Sequence, residues 1–343
     1  MKLPPLGGLS RAARLPGAAE ATALIQRALA EAGARMPEGL RVMGRPLPRP
    51  MAREVGPIVA HPDEAPAGRF VACRLGDTPQ GRPYKLYLPS RSTGTAAPLL
   101  VMLHGCSQTP DDFAAGTGMN AVAEAAGCLV AYPEQLASAN SARCWNWFNR
   151  SEQARDQGEP GLIAAITRAV AARHGVDTRR IYVAGLSAGG AAAAVLGATY
   201  PDLFAAIGVH SGLACGAARD ASGAFAAMRD GADGPRLAVA VPAIVFHGDR
   251  DTTVNPRNGA AVAAQFAPPG LTRSVSAGQV PGGRAWERTV LADAAGRCVL
   301  EHWTVRGLGH AWSGGRAGGS HTDPTGPDAS REMLRFFLEH RLA

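Results

Sequence analysis

The 343-residue sequence predicts a mostly parallel α/β sheet with helices on both faces, on three observations. Short, continuously apolar runs (PLLVMLHG, CLVAYPE, RRIYVAG, AAIGVHSG, PAIVFHGDRD) have the pattern of strands buried on both sides. Helical segments separate most of these runs, so the connections read as crossovers between parallel strands. Chemistry-bearing residues follow the runs directly, where the strand ends of such a sheet open toward a ligand.

The elements follow in order. Residues 18–32 read as a short helix with Leu24, Ile25, Ala28 and Leu29 on one face. The stretch MPEGLRVMGRPLPRPMAREVGPIVAHPDEAPAG is rich in proline and glycine, which disfavours helix interiors and central strands. Residues 1–65 are therefore read as an extension, and 66–343 as the catalytic domain. RFVACRL and RPYKLYLPS open that domain as two antiparallel strands. After PLLVMLHG comes a helix over Met119–Ala126, then CLVAYPE, then an amphipathic helix in GLIAAITRAVAARHG. RRIYVAG runs into a small-residue helix, AAIGVHSG and PAIVFHGDRD are strands, and NGAAVAAQFA is a helix. RTVLAD and VLEHWTV pair as a hairpin, and ASREMLRFFLEHRLA closes with a helix. The polar stretch 211–241 is short for a large apolar lid, so a fairly open cleft is expected.

Composition narrows the function classes. Hydrophobic content of 46% with 18% charged residues is that of an ordinary globular core. No apolar run reaches the length of a membrane span. The net charge of +7 comes from scattered arginines, Lys2 and Lys85 being the only lysines, without the basic stripe and interleaved aromatics of a nucleic-acid surface. The N-terminus lacks the continuous apolar core of a signal peptide, which favours a cytoplasmic protein, with secretion as the alternative. Six cysteines leave that alternative open, because an even count permits disulfides. None has zinc-ligand spacing, and no metal or organic cofactor is expected.

The serine in Gly185-Leu186-Ser187-Ala188-Gly189 carries the chemistry. G-x-S-x-G between a strand and a helix is the pattern of a nucleophile lifted out on a tight turn. A serine hydroxyl attacks only when a base takes its proton, and a histidine that titrates near neutrality is suited to that role. A carboxylate behind the imidazole fixes its tautomer. In chain order these are Ser187, Asp251 and His310, the order of an α/β-hydrolase. Asp249 is the rival acid, with Asp251 given the longer reach. Asp156 and Asp202 are poorer candidates, and His104 and His247 read as structural. A tetrahedral intermediate needs backbone donors for its oxyanion, and Ala188 and Cys106 are placed to supply them.

A disulfide would fix the Cys106 amide. Cys144, in SARCWNWFN, is the first choice of partner, and Cys215 with Cys298 is a second pair. Trp145, Trp147 and Phe148 are either ordinary loop packing or an aromatic wall beside Ser187, with Trp312 contributing to the same wall.

At these residues the sequence resembles the polyhydroxybutyrate-depolymerase family of esterases, related to feruloyl and acetylxylan esterases. The resemblance rests on LHGCSQT, AYPEQ, CWNWF, DTRRIYVAGLSAGG, HGDRDTTV, GLGHAWSGG and TDPTGPDASREMLRFF, over about residues 70–343. It implies an α/β-hydrolase fold, the triad Ser187, Asp251 and His310, oxyanion donors at Cys106 and Ala188, and a substrate-facing tryptophan at Trp145 or Trp147. The implied substrates are poly- or oligo(3-hydroxyalkanoate) esters, with a polymer surface or granule as partner. Feruloyl, acetyl or other small esters are the alternative. An acyltransferase and a catalytically dead binding protein are further readings, the latter opposed by the complete set of triad candidates.

Overall fold

The structure, a computed structural model, describes residues 68–76, 81–90 and 96–343. The helix expected over 18–32 and the extension 1–65 lie outside the described residues. Ten strands form one sheet. They are β1 (Arg69–Leu75), β2 (Arg82–Leu88), β3 (Ala97–Leu103), β4 (Leu129–Pro133), β5 (Val176–Leu186), β6 (Ala206–His210), β7 (Ala243–Gly248), β8 (Thr272–Gln279), β9 (Ala285–Ala292) and β10 (Cys298–Val305). Their order is β1-β2-β4-β3-β5-β6-β7-β10-β9-β8. The six central strands, from β4 to β10, pair in parallel. Antiparallel ribbons, β1–β2 at one edge and β8–β9 at the other, extend the sheet.

The continuous apolar runs are explained by two cores. Successive strand residues point to opposite faces, so Leu99, Val101 and Leu103 of β3 enter one cluster while Leu100 and Met102 enter the other. Strand β7 divides in the same way, with Ala243 and Val245 on one side and Ile244 and Phe246 on the other. Helices α1 (Pro110–Thr117), α2 (Met119–Ala126) and α7 (Ala329–Leu338) cover one face. The opposite face is covered by α3 (Gly158–His174), α4 (Ala188–Thr199), α5 (Ala221–Asp230) and α6 (Arg257–Phe266). No helix among the described residues is long and apolar enough to cross a membrane.

Some elements lie beyond those the sequence predicts, two helices and a strand among them. Helix α1 is capped by Thr109, whose hydroxyl accepts from the Asp112 N–H at 3.2 Å, with Pro110 in the first turn; both are start signals present in the sequence. Helix α5 is capped by Asp220 and buries only Ala224 and Ala227, so its apolar signal is weak. Strand β8 is polar and exposed along nearly its whole length, and pairing with β9 alone makes it a strand. Residues 211–241 thus carry one ten-residue helix and no large lid.

Candidate active site

The turn after β5 is shaped by close backbone packing. Ser187 has φ 57° and ψ −119°, an unfavourable region for a residue with a side chain, and its N–H donates to the His210 carbonyl at 2.9 Å. A Cβ on Gly189 would overlap the Leu103 and His104 carbonyls of the β3 end, and one on Gly185 would overlap Gly189 itself. The glycine collar is therefore what lets the β5–α4 turn press against β3. Gly189→Ala is expected to cost about 1–3 kcal/mol or more, because rigid backbone and no flexible side chain must give way. Urea denaturation of the variant and its parent checks this.

Beside the turn lies a narrow cleft lined by Ser187, Ala188, Cys106, Cys144, Trp147, Phe148, Leu213, Met228 and Val254. Ala188 is the first residue of α4, so its N–H has no acceptor within the helix. The Cys106 N–H makes no hydrogen bond among the described residues. Both amides belong to residues lining the cleft with Ser187.

Asp251 and His310 meet behind the cleft. His310 Nδ1 lies 2.7 Å from Asp251 Oδ2, while Asp251 Oδ1 accepts from the Thr253 and Val254 N–H groups at 2.9 and 2.8 Å. Burial alone would raise the Asp251 pKa, but His310 and His247 outweigh it and hold the carboxyl well below the usual range. His310 Nε2 is buried without a hydrogen-bond partner among the described residues, leaving the nitrogen opposite the carboxylate open. Asp249 faces elsewhere: it accepts from the Gly307 N–H at 2.6 Å and pairs with Arg306, bracing the turn after β10.

The other histidines are held as structure. His104 donates from Nδ1 to the Gly105 carbonyl at 2.8 Å and accepts at Nε2 from the Gln135 N–H at 3.1 Å; burial pushes its pKa down to about 4. His247 Nε2 lies 2.9 Å from the Val254 carbonyl and 3.3 Å from Asp251 Oδ2. Fully buried His210, unremarked in the sequence, accepts from the Ser313 N–H and stacks between Phe246 and Trp312.

The aromatic wall needs correction. Trp147 and Phe148 line the cleft; Trp145 and Trp312 do not. Trp145 is fully buried, with its indole N–H donating to the His104 carbonyl at 3.0 Å. Trp312 is 1% exposed, donates to Ser330 Oγ and packs on His210 and Phe113. Each supports the site from beneath, because an indole N–H buried in a core takes an acceptor there. Leu213, Met228 and Val254 complete the cleft, and as plain apolar residues they carried no signal in the sequence.

Cys106 and Cys144 form a disulfide with 4.2 Å between Cα atoms, tying the loop after β3 to the aromatic loop. Cys215 and Cys298 are unbridged. The Cys215 backbone is held by Gln265 of α6 at 2.9 Å, whereas Cys298 Sγ sits beside Glu301 on β10. Replacing Cys144 by Ser is expected to cost about 2–4 kcal/mol of stability. It should also lower kcat more than it changes KM, since the tether positions the Cys106 amide; melting and steady-state kinetics on a soluble ester check both.

A parallel sheet with a serine elbow after β5, an acid after β7 and a histidine after β10 defines an α/β-hydrolase. More particularly, the chain belongs to the family described as Esterase PHB depolymerase, whose sequence profile matches residues 82–272. It is 33% identical over 233 residues to poly(3-hydroxyalkanoate) depolymerase C of Paucimonas lemoignei, covering 62% of this chain and 55% of that protein. Against feruloyl esterase B of Thermothelomyces thermophilus it is 27% identical over 265 residues, covering 69% and 86%. The chain spans about half the length of the depolymerases it matches, 55% and 51% for two of them. An acetyl xylan esterase structure from Aspergillus awamori superposes with a TM-score of 0.60 at 20% identity, covering 79% of this chain and all of that one.

Proposed function

We propose that residues 66–343 form a serine carboxylic ester hydrolase acting on poly- or oligo(3-hydroxyalkanoate) esters. The observation that carries this reading is the cleft that joins Ser187 on its strained turn with the Cys106 and Ala188 amides, backed by the Asp251–His310 pair. In the proposed reaction the Ser187 hydroxyl attacks the ester carbonyl as its proton passes to His310 Nε2. Asp251 fixes the Nδ1–H tautomer and stabilises the imidazolium. The Cys106 and Ala188 amides take the oxyanion; collapse breaks the ester C–O bond and His310 returns the proton to the departing alcohol. Water, deprotonated by His310, then releases the acid and restores Ser187.

The substrate class is supported by relatives named depolymerases, and by a cleft whose walls are mostly apolar: Trp147, Phe148, Leu213, Met228 and Val254. Apolar walls of this kind suit an aliphatic ester, whether presented in solution or at a polymer surface or granule. Relatives named acetylxylan and feruloyl esterases support small esters as the second reading, with the same catalytic groups.

The test is parallel incubation with amorphous poly(3-hydroxybutyrate), its soluble oligomers and a feruloyl ester, with Ser187→Ala as control. Acid release from the polymer or oligomers that vanishes in the variant is the expected result. Release from the feruloyl ester alone overturns the substrate reading and keeps the catalytic one.

A further inference from the structure

Beneath the aromatic loop lies a carboxylate that the proposed reaction does not use. Glu159 sits in the first turn of α3 and is 9% exposed. Its Oε2 accepts from the Asn146 backbone N–H at 2.7 Å, and its Oε1 accepts from the Asn146 side-chain amide at 2.7 Å and from Gln135 Nε2. Each partner leads to the cleft. Asn146 stands between Trp145, which binds the His104 carbonyl, and Trp147, which lines the cleft. The Asn146 Oδ1 also accepts from Asn140, whose own Oδ1 holds the Ala142 and Cys144 N–H groups. Fully buried Gln135 donates from its side chain to the Cys144 carbonyl at 3.0 Å and from its backbone to His104 Nε2. Cys144 is bridged to Cys106, and the Ser107 N–H donates to the Ala142 carbonyl at 2.7 Å. The disulfide, the Ser107 N–H and the His104 carbonyl hold the two ends of the 142–145 stretch, and the Glu159 carboxylate binds it from α3 through Asn146 and Gln135.

Resting on the esterase reading above, we propose that Glu159 is a positioning residue: its ionised carboxylate clamps the 144–147 loop to α3 and thereby sets the Cys106 amide and the Trp147 wall. All three groups that bind the carboxylate, one backbone and two side-chain, are N–H donors, so a protonated carboxyl would turn its own O–H against donors and lose an acceptor. The charged neighbours are few. Glu152, from the 3₁₀ turn Arg150–Gln153, accepts from the Glu159 N–H and adds like charge. Arg82 of β2 reaches Gln135 Oε1 at 3.4 Å, on the far side of that amide. His104, at the end of β3, is held neutral, and α4 presents only Ala192, Val195 and Leu196. Burial outweighs the donors and raises the Glu159 pKa from 4.5 to about 7.

A raised carboxyl pKa has a definite sign in linkage: Glu159 favours the fold fully below about 4.5, and that contribution is lost as pH rises to about 7. Catalysis should run the other way, needing the ionised clamp. Hydrolysis of a soluble 3-hydroxybutyrate ester is expected to fall on its acid side with two protonations in wild type and one in Glu159→Gln. The variant should lose about tenfold or more in kcat, the scale of a misplaced oxyanion donor, with KM little changed. The melting temperature of Glu159→Gln relative to wild type should rise between pH 5 and pH 8, a readout that needs no activity. Asn146→Ala removes a donor to the carboxylate and should move the acid limb to higher pH, which keeps the test available if Glu159→Gln does not fold. An acid limb unchanged in the variants, or a melting difference flat with pH, overturns the assignment. A wild type that cleaves no ester overturns the esterase reading instead, and the melting comparison still reports whether Glu159 ionises within the fold.

Discussion

Ser187→Ala is expected to lower kcat on a soluble 3-hydroxybutyrate ester by about 10⁴-fold or more while leaving substrate binding nearly intact, the scale of losing the nucleophile from a serine triad. The reason is geometric. The methyl group keeps the φ 57° turn, so the Cys106 and Ala188 amides and the Trp147 wall stay where they are. Only the bond-forming oxygen is gone. Residual catalysis from the oxyanion donors alone should then be measurable above the uncatalysed rate. Pre-steady-state kinetics with excess ester carrying a chromogenic leaving group checks this: wild type should give a burst from acyl-enzyme formation, where deacylation is the slower step, and the variant none. A variant that keeps wild-type turnover would remove Ser187 from the mechanism.

Asp251→Asn should cost nearly as much, about 10⁴-fold in kcat, because an amide facing His310 Nδ1 can present its N–H₂ and reverse the tautomer. Nε2 would then carry the proton and could not accept one from the serine. The fold should also suffer, since Asp251 anchors the Thr253 and Val254 N–H groups as well as His310. Because its pKa is held low, the wild-type carboxylate stays ionised through the working range and adds no inflection near neutrality. Its contribution to stability is present above the ordinary carboxylate pKa and is lost as pH falls below it. Asp249→Asn is the comparison. An amide there keeps an oxygen for the Gly307 N–H, so turnover should change by no more than a small factor. Steady-state kinetics of the two variants side by side, with melting curves, separates the acid from its neighbour; a reversed order of effects would exchange their roles.

Much of this site could be read before any coordinates because its signals are local. A nucleophile between two glycines at a strand-to-helix junction needs residues close together in the chain, and the glycines are demanded by contact with the β3 backbone. The Thr109-Pro110 start of α1 is an equally local signal, a capping hydroxyl followed by a proline in the first turn. The choice of Asp251 over Asp249 was an argument from reach, and the fold adds its cause: one carboxylate points back to the β10 turn, the other under the histidine. Strand β8 had no such signal, because a polar strand with little burial is defined only by its neighbour.

Aromatic placement was beyond the sequence for a related reason. Trp145 and Trp147 are two residues apart in an irregular loop without strand or helix periodicity to assign them faces. Contacts distant in the chain decide it: the His104 carbonyl draws the Trp145 indole into the core, Glu159 binds the intervening Asn146 N–H, and Trp147 lines the cleft. Alternating apolar strands, the glycine collar and the order serine, acid, histidine were determined by the sequence itself, since short-range sterics and hydrophobic patterning dictate them. Which aromatic side chains line the cleft, and which buried carboxylate binds the loop that carries them, was decided only by the tertiary structure, because a buried polar group must find its hydrogen-bond partners wherever the folded chain brings them.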